Sequence, residues 1–249
     1  MKRIALITGG TGGIGFATAK ELGKAGYHIV LNGIILSEGK TCVGELEAMD
    51  ISAEYYHFDC TDENAVNENI AKIGIKHNKI DVLINATGGL GGRSRFENME
   101  TEFYRKVMAL NLDSAFFVSR AAIPYLKKSN DASIINFTSI AGYNAGGPGA
   151  GIYGTAKGAV MVMTRAMAKD LAEFKIRVNA VSPGTIDTPF HQVTKDNNPQ
   201  MFESWKNSIL MKRFGEASEV ASVIAFLVSE KASFITGETV QINGGQDLL

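Results

Sequence analysis

The stretch that decides the fold is IALITGGTGGIG, residues 4–15, in which a short apolar run ends in closely spaced glycines. The apolar run is typical of a buried β-strand, and the residues that follow have a helical pattern. Glycine accepts the positive φ angles of a tight strand-to-helix turn. It also leaves bare backbone N–H groups where the helix amino terminus attracts anions. The stretch therefore predicts a turn that holds the pyrophosphate of a dinucleotide, with a merely tight β–α turn as the alternative.

Short β-branched runs alternate with helical patterns along the rest of the chain. The predicted strands are residues 4–8, 28–32, 54–59, 82–85, 133–138, 177–182 and 239–242. The predicted helices are residues 14–25, 38–49, 62–77, 102–128, 153–174 and 219–229. Most of the strands are apolar on both faces, as parallel strands covered by helices are. The pattern predicts an α/β fold in one domain over residues 1–249, a doubly wound (Rossmann) parallel sheet of about seven strands with helices on both faces.

Residues 187–213 are the least regular part of the sequence. They contain Pro189, Pro199 and the only tryptophan, Trp205. Irregular segments of this length in compact domains commonly cover binding sites. We expect this segment to form a mobile substrate flap.

Charge and composition limit the classes of partner. The chain has 25 basic and 26 acidic residues and a formal net charge of −1, so no broad positive field attracts nucleic acid. No run reaches the ~18 apolar residues of a membrane helix. Cys42 and Cys60 are too few for a metal cage, and the four histidines lack metal-ligand spacing. We expect a cytoplasmic protein with reduced cysteines that uses no metal, nucleic acid or membrane.

The end of the second predicted strand bears on the choice between NAD and NADP. An acid here usually holds the ribose 2′-OH of NAD, and a nearby arginine accommodates the 2′-phosphate of NADP. Here the chain reads Leu-Asn-Gly-Ile-Ile at residues 31–35 and has neither. Ile34 is bulky and apolar, and Glu38 would repel a phosphate near it. We favour NAD(H) over NADP(H).

A further polar stretch follows the fourth predicted strand and reads Asn-Ala-Thr-Gly-Gly at residues 85–89. Ligands of a doubly wound sheet bind at the carboxyl ends of its strands, so this stretch is placed to line a cofactor cleft. The alternative is a structural turn that holds neighbouring strands together, and both roles are compatible.

Tyr153 and Lys157 stand four residues apart in a helical pattern, so their side chains share one face. A phenol with a pKa near ~10 exchanges protons poorly at pH 7. A nearby ammonium or an oxidised nicotinamide favours the phenolate and brings the tyrosine towards the range of a general acid or base. Alone, such a pair is most often a solvated helix face, so its context decides.

In this order, the motifs resemble the short-chain dehydrogenase/reductase family over essentially the whole chain. The matching positions are Thr8-Gly9-x-x-x-Gly13-x-Gly15, Asn85-Ala86-Thr87-Gly88, Asn111, Thr138-Ser139, Tyr153-x-x-x-Lys157, Asn179, Pro183-Gly184-x-x-x-Thr188, Thr236-Gly237-Glu238 and Asn243-Gly244-Gly245. The resemblance implies an NAD(P)-dependent oxidoreductase that transfers a hydride between the nicotinamide and the carbonyl or secondary alcohol of a small substrate. A keto sugar acid, a polyol or a 3-oxoacyl or 3-hydroxyacyl compound is the expected substrate. The alternatives are a non-catalytic dinucleotide sensor on the same fold and another nucleotide-binding α/β enzyme, such as a methyltransferase.

The resemblance also implies a role for each matching residue. Tyr153 would donate the proton in reduction, Lys157 would lower the Tyr153 pKa and bind the nicotinamide ribose, and Ser139 would orient the substrate oxygen. Asn111 would hold a water that links Lys157 to solvent, and Asp59 would contact the adenine. The expected cofactor-binding residues are Gly9, Thr11, Gly12, Gly13, Ile14, Gly15, Asn32, Gly33, Asp59, Cys60, Asn85, Ala86, Gly88, Tyr153, Lys157, Pro183, Gly184, Ile186 and Thr188.

Three features depart from the family pattern. Ala86 replaces an asparagine, and Gly12 stands where many NADP-using members carry a basic residue. Ser139 and Tyr153 are 14 residues apart, one more than the commonest spacing. The glycine-rich residues 142–151 between them give no readable substrate pattern.

The resemblance leaves the substrate and the assembly open. Arg93 and Arg95 could bind an anionic substrate, or they could be a solvated surface pair. His191 is a candidate substrate contact. The family implies a homotetramer built on the long helices and the last strand, and these helices carry more apolar residues, such as Phe116 and Val162, than one sheet contact needs.

Overall fold

A seven-stranded parallel sheet runs through the computed structural model, which describes residues 2–248. The strands are β1 Ile4–Thr8, β2 His28–Gly33, β3 Ala53–His57, β4 Val82–Asn85, β5 Ala132–Phe137, β6 Ile176–Pro183 and β7 Thr239–Ile242. Their order across the sheet is β3-β2-β1-β4-β5-β6-β7, and every neighbouring pair is parallel. The predicted doubly wound parallel sheet is confirmed, with strand ends that differ by one or two residues.

Helices cover both faces of the sheet. They are α1 Gly13–Lys24, α2 Leu36–Glu47, α3 Glu63–His77, α4 Thr101–Met108, α5 Ser114–Leu126, α6 Ala141–Asn144, α7 Gly151–Leu171, α8 Gln192–Asn197, α9 Pro199–Ser208 and α10 Ala217–Val228. No helix within residues 2–248 has the length and apolar character of a membrane span.

Alternation along the strands divides the core into two layers. Successive side chains of a strand point to opposite faces of the sheet. Ile7 of β1 belongs to the cluster formed with α1, α2 and α10, whereas Leu6 belongs to the cluster formed with α3, α5 and α7. Both side chains are fully buried. Burial of one such side chain stabilises the fold by about 1.5–3 kcal/mol. The two packed layers therefore give the loops at the ends of the strands a stable base.

The predicted helix 102–128 is interrupted, which corrects that prediction. One π-helical turn, Ala109–Asp113, lies between α4 and α5. Within it, the Asn111 side chain donates a hydrogen bond to the Val107 carbonyl at 3.0 Å and another to the Gly89 carbonyl at 2.8 Å. The amide thus satisfies a helix carbonyl and ties the turn to the loop after β4. Single π-helical turns inside α-helices occur frequently at functional sites.

The segment 187–213 is also more regular than its sequence predicts. It contains α8 and α9, and Pro199 opens α9 at a position where a missing N–H costs nothing. The Asn198 side chain caps this helix by accepting a hydrogen bond from the Met201 N–H at 3.0 Å. Pro189 likewise opens one turn of 3₁₀-helix, Pro189–His191, so the prolines that suggested irregular structure mark helix starts.

Candidate active site

A cleft of about 1230 Å³ follows the carboxyl ends of the strands. Because all seven strands are parallel, the loops after β1, β2, β4, β5 and β6 meet at this edge. Ligand pockets typically measure roughly 300–1,000 Å³. The cleft is therefore large enough for a dinucleotide together with a small substrate.

The glycine-rich turn between β1 and α1 forms one wall of the cleft. Gly9 and Gly13 have φ angles of +59° and +50°. A Cβ atom on Gly15 would lie 2.2 Å from the Gly9 carbonyl oxygen, so the turn closes only with glycine there. Gly12 is the N-cap of α1, where no side chain caps the helix and no acid stands in its first turn. The first backbone N–H groups of α1 therefore lack a side-chain cap and can bind an anion, so the turn fits a pyrophosphate.

Ser139, Tyr153 and Lys157 meet at the middle of the cleft. Ser139 lies two residues beyond the end of β5, and the other two residues share one face of α7. The Ser139 hydroxyl lies close enough to the Tyr153 phenol to lower the pKa of that phenol. Lys157 Nζ lies 5.8 Å from the centre of the Tyr153 ring and donates a hydrogen bond to the Phe137 carbonyl at 2.9 Å. A hydroxyl, a phenol and a primary amine thus line one stretch of wall, which can orient an oxygen and move one proton.

Burial determines the titration of both groups on α7. Burial raises the pKa of Tyr153, and the nearby Ser139 hydroxyl offsets this only in part. Burial also lowers the pKa of Lys157 to about 8. A lowered pKa for Tyr153 was expected, so this expectation is wrong for the protein alone. The reason is the desolvation of the buried phenol, while the Lys157 ammonium donates its hydrogen bond to the Phe137 carbonyl and not to the phenol.

Gly88 lies where the loop after β4 passes between Asn111 and Lys157. A Cβ atom at this position would be 2.9 Å from both Asn111 Oδ1 and Lys157 Nζ. Asn111 also accepts a hydrogen bond from the Gly89 N–H at 3.0 Å, so its amide clamps this loop from both sides. Asn111 is buried and does not line the cleft. Asn111 supports the part of the cleft wall that carries Lys157, from the side that faces the protein interior.

The structure brings together all but one of the predicted cofactor-binding residues. Those that line the cleft are Gly9, Thr11, Gly12, Gly13, Ile14, Gly15, Asn32, Gly33, Asp59, Cys60, Ala86, Gly88, Tyr153, Lys157, Pro183, Gly184, Ile186 and Thr188. Asn85 does not line it. Its side chain is buried and donates hydrogen bonds to Ser119 and Asn136, both at 2.8 Å. Asn85 therefore joins neighbouring elements, the structural role that was the alternative.

Asn32 and Cys60 pair with each other beneath the cleft. The Cys60 thiol donates a hydrogen bond to Asn32 Oδ1 at 3.0 Å, and Asn32 Nδ2 donates one to the Phe58 carbonyl at 2.8 Å. Burial raises the pKa of the Cys60 thiol to about 12, so the thiol stays protonated. These contacts join the end of β2 to the loop after β3. They leave Gly33 and the two-thirds exposed Ile34 as the surface at the end of β2.

The basic residues of the cleft lie on elements other than the end of β2. Among the described residues that line the cleft, the lysines and arginines are Arg93, Lys106 and Lys157. Arg93 donates a hydrogen bond to the Pro148 carbonyl at 3.0 Å, which holds the arginine beside the glycine-rich residues 142–151. Arg95 lies outside the cleft, so only Arg93 of the two predicted arginines is placed to meet a substrate. Sequence reasoning missed Lys106, although Lys106 and Leu110 stand four apart on a helical face and both line the cleft.

Aromatic residues of the segment 187–213 contribute to the cleft. His191 and Trp205 line the cleft, with ring centres 5.7 Å apart in an edge-on arrangement. Burial lowers the pKa of His191 and therefore favours its neutral form. Met201 also lines the cleft.

Fold and site together define a dinucleotide-dependent oxidoreductase, and comparison with known proteins agrees. A family model described as Enoyl-(Acyl carrier protein) reductase matches residues 9–247. The 3-oxoacyl-[acyl-carrier-protein] reductase FabG of Thermotoga maritima is 35% identical over 98% of this chain and 97% of its own. The chain belongs to the short-chain dehydrogenase/reductase family.

Two solved structures resemble the whole chain. The NADH-dependent reductase A1-R′, responsible for alginate metabolism, aligns with a TM-score of 0.90 and 34% identity, covering 100% of this chain and 98% of its own. A putative gluconate dehydrogenase from Agrobacterium tumefaciens aligns with a TM-score of 0.93 and 30% identity, covering 99% and 97%. This protein is accordingly an oxidoreductase that acts on the carbonyl or alcohol group of its substrate.

Proposed function

We propose that the whole chain acts as one unit that uses NAD(H) to reduce or oxidise a small anionic substrate, with Tyr153 as the general acid or base. The observation that carries this proposal is the meeting of Ser139, Tyr153 and Lys157 in the same cleft as the glycine-rich turn. The bound nicotinamide supplies or accepts the hydride. The chain itself supplies binding, orientation and one proton.

The proton step follows from the environment of Tyr153. Because burial raises its pKa, the phenol is protonated at neutral pH and ready to donate in reduction. As the carbonyl carbon receives the hydride, the oxygen takes the phenolic proton, and Ser139 holds that oxygen by its hydroxyl. In oxidation the phenolate accepts the proton back. The positive charge of an oxidised nicotinamide favours this phenolate. A protonated Lys157, placed to bind the ribose, adds to the same effect.

The preference for NAD(H) rests on the charges at the end of β2. Ile34 occupies this surface. None of the basic residues that line the cleft in the described part of the chain lies at the end of β2. Glu38 stands in the first turn of α2, two residues beyond Leu36. A 2′-phosphate here would meet apolar surface and a nearby acid rather than a cation. The similar reductase A1-R′ is described as NADH-dependent, which supports the same preference.

Two arginines should reverse this preference. A Cβ atom on Gly12 would meet nothing within 4 Å, so a side chain fits there. We expect the double variant Gly12→Arg/Ile34→Arg to raise kcat/KM for NADPH about 10- to 100-fold, because charge-assisted hydrogen bonds to a phosphate contribute roughly 1.5–3 kcal/mol. Steady-state kinetics with both cofactors measures this. The matched control is Gly12→Arg/Ile35→Arg, since Ile35 is exposed and does not line the cleft. An equal gain in the control, or a wild type that prefers NADPH, would contradict the assignment.

The anionic substrate is proposed from Arg93 and Lys106, which line the same cleft as Ser139. A guanidinium held by its bond to the Pro148 carbonyl keeps further N–H groups for a carboxylate. The names of two similar proteins refer to alginate metabolism and gluconate, which supports an acidic sugar.

Arg93→Gln should raise the KM for 5-keto-gluconate about 10- to 100-fold and leave the KM for the uncharged ketone fructose nearly unchanged. Arg95→Gln is the matched control, because Arg95 follows closely in sequence but lies outside the cleft. Kinetics on both ketones with the three proteins measures the effect. Equal losses on the charged and uncharged ketones, or turnover confined to uncharged carbonyls, would refute the anionic assignment.

We further propose that residues 187–213 act as a substrate flap and that the protein is a cytoplasmic homotetramer. Support for the flap comes from His191, Met201 and Trp205, which line the cleft. Support for self-association comes from large apolar side chains exposed on α5 and α7, such as Phe116 at 44% and Val162 at 64%. Both cysteines are free, as is usual in a reducing compartment.

A further inference from the structure

Two histidines flank a carboxylate at the edge of the sheet opposite the cleft. His28 begins β2, Glu54 lies in β3, and His77 ends α3. One ligand atom from each residue lies within 4.8 Å of the other two. His28 Nε2 is 3.6 Å from Glu54 Oε1, and His77 Nε2 is hydrogen-bonded to the same oxygen. All three side chains are about five-sixths buried, with exposures of 16%, 16% and 14%. We name these three residues the His–Glu–His cluster.

The surroundings of His28 prepare one of its ring nitrogens for a cation. Its Nδ1 lies 2.7 Å from the Ser52 hydroxyl oxygen. When Nδ1–H donates to this oxygen, Nε2 carries the lone pair. Nε2 is buried and has no hydrogen-bond partner among the described residues. The buried lone pair of Nε2 and the carboxylate oxygen that it faces repel each other unless a cation lies between them. Histidines that bind metals are oriented by such a hydrogen bond on the opposite ring nitrogen.

Lys76 completes the surroundings without occupying the centre of the cluster. Its ammonium pairs with Glu54 Oε2, the oxygen that faces away from the two imidazoles. The Lys76 side chain is more than half exposed, so it neutralises this oxygen from the solvent side. Glu54 Oε1 remains the atom shared by both histidines.

From this arrangement we propose that His28, Glu54 and His77 bind one divalent transition-metal ion, with Zn²⁺ as the best match. Two imidazole nitrogens and a carboxylate oxygen are an established zinc donor set, and water completes the tetrahedron. Ligand atoms about 2.1 Å from a tetrahedral ion are about 3.4 Å apart, close to the 3.6 Å between His28 Nε2 and Glu54 Oε1. To bind the ion, His77 Nε2 must lose the proton that it shares with Glu54 Oε1 and move about 0.9 Å away from that oxygen, and the proton is released to solvent.

The placement gives this ion a structural role rather than a catalytic one. The cluster joins the amino-terminal ends of two neighbouring strands to the carboxyl end of α3, across the sheet from Tyr153. A bound ion would therefore fasten β3, which is the outermost strand on this side of the sheet in the described chain, to β2 and α3. Since such an ion binds only the folded chain, it raises the free energy of unfolding in proportion to its occupancy.

The direct test is a calorimetric titration of the tag-free full-length protein with Zn²⁺. We expect one equivalent of Zn²⁺ per chain. His28→Ala and His77→Ala should each weaken binding at least about 100-fold, and Ser52→Ala about 10-fold, as outer-shell partners do. The matched control is His57→Ala, because His57 lies on β3 three residues beyond Glu54 and outside the cluster. This control should bind Zn²⁺ like the wild type.

Two further measurements protect the test against variants that fail to fold. Free Zn²⁺ at 100-fold its Kd should raise the melting temperature of the wild type by about 5–10 °C and that of His77→Ala by much less. Co²⁺ should give the visible absorption of a tetrahedral site, which added Zn²⁺ removes. Binding well below one equivalent, or binding that survives His77→Ala and is lost in His57→Ala, would overturn the proposal and leave the cluster as an ion-pair network around Lys76.

Discussion

Replacing Tyr153 by phenylalanine is expected to lower kcat by about 10²- to 10⁴-fold, the range that one positioned acid or base contributes. The change removes only the phenolic hydroxyl near Ser139 and leaves the ring in place. Cofactor affinity should stay nearly constant, because the glycine-rich turn and Lys157 are untouched. Steady-state kinetics gives kcat, and quenching of protein fluorescence by NADH gives Kd.

The matched control for this variant is Tyr104→Phe. Tyr104 is an exposed tyrosine of α4 that does not line the cleft, so its loss should leave kcat unchanged. A Tyr153→Phe enzyme that keeps more than about a tenth of wild-type kcat would remove the assigned role of Tyr153.

Replacing Lys157 by methionine is expected to abolish most turnover and at the same time to stabilise the fold at neutral pH. The side chain is 4% exposed, and burial lowers its pKa from 10.5 to about 8. At pH 7 the folded and unfolded chains both bind this proton, so the fold bears the full cost of burying the charge, about 3 kcal/mol. Methionine is of similar length and carries no charge, although it loses the hydrogen bond to the Phe137 carbonyl.

The pH dependence separates this cost from other effects of the change. Between pH 8 and 10.5 the unfolded chain binds more of the Lys157 proton than the folded chain. The stability of the wild type relative to Lys157→Met should therefore rise across this window, by at most ~1.4 kcal/mol per pH unit. Urea denaturation at several pH values measures the difference. Lys169→Met, an exposed lysine of the same helix, should show no such rise. A flat difference between the wild type and Lys157→Met would mean that the ammonium is not buried.

The architecture could be predicted because each layer leaves its own local signal. Strands buried on both faces are mostly apolar, as in residues 82–84, and the helices between them imply right-handed crossovers. The glycine-rich turn was readable for a similar reason, since Gly9 and Gly15 occupy places where any Cβ meets backbone atoms at 3.0 Å or less. Tyr153 and Lys157 needed only helical spacing to be placed on one face.

Features that depend on side-chain direction or on tertiary contacts could not be predicted. Asn85 ends its strand as the cleft-lining residues do, yet its amide turns inward because Ser119 and Asn136 offer it buried partners. The π-helical turn depends on Asn111 reaching a loop 22 residues away. The raised pKa of Tyr153 depends on burial, which the spacing to Lys157 does not show.

The His–Glu–His cluster was missed for a topological reason. His28, Glu54 and His77 are far apart in sequence, so no short spacing marks them as ligands. They meet because β2 and β3 are parallel neighbours and α3 runs antiparallel to them, which returns its last residue to the starting edge of the sheet. Only the fold places the three side chains together.

The most direct test of the central claim is an assay of nicotinamide absorbance with purified protein. NADH and NADPH are supplied in parallel against keto acids, sugar-derived aldehydes, diketones and acetoacetyl thioesters, with Tyr153→Phe beside the wild type. We expect the wild type to oxidise NADH in preference to NADPH with an anionic carbonyl compound, and Tyr153→Phe to be nearly silent. If NADH binds tightly and none of these carbonyl compounds is turned over, the protein would instead act as a sensor of its dinucleotide, and the catalytic assignment of Ser139, Tyr153 and Lys157 would be wrong.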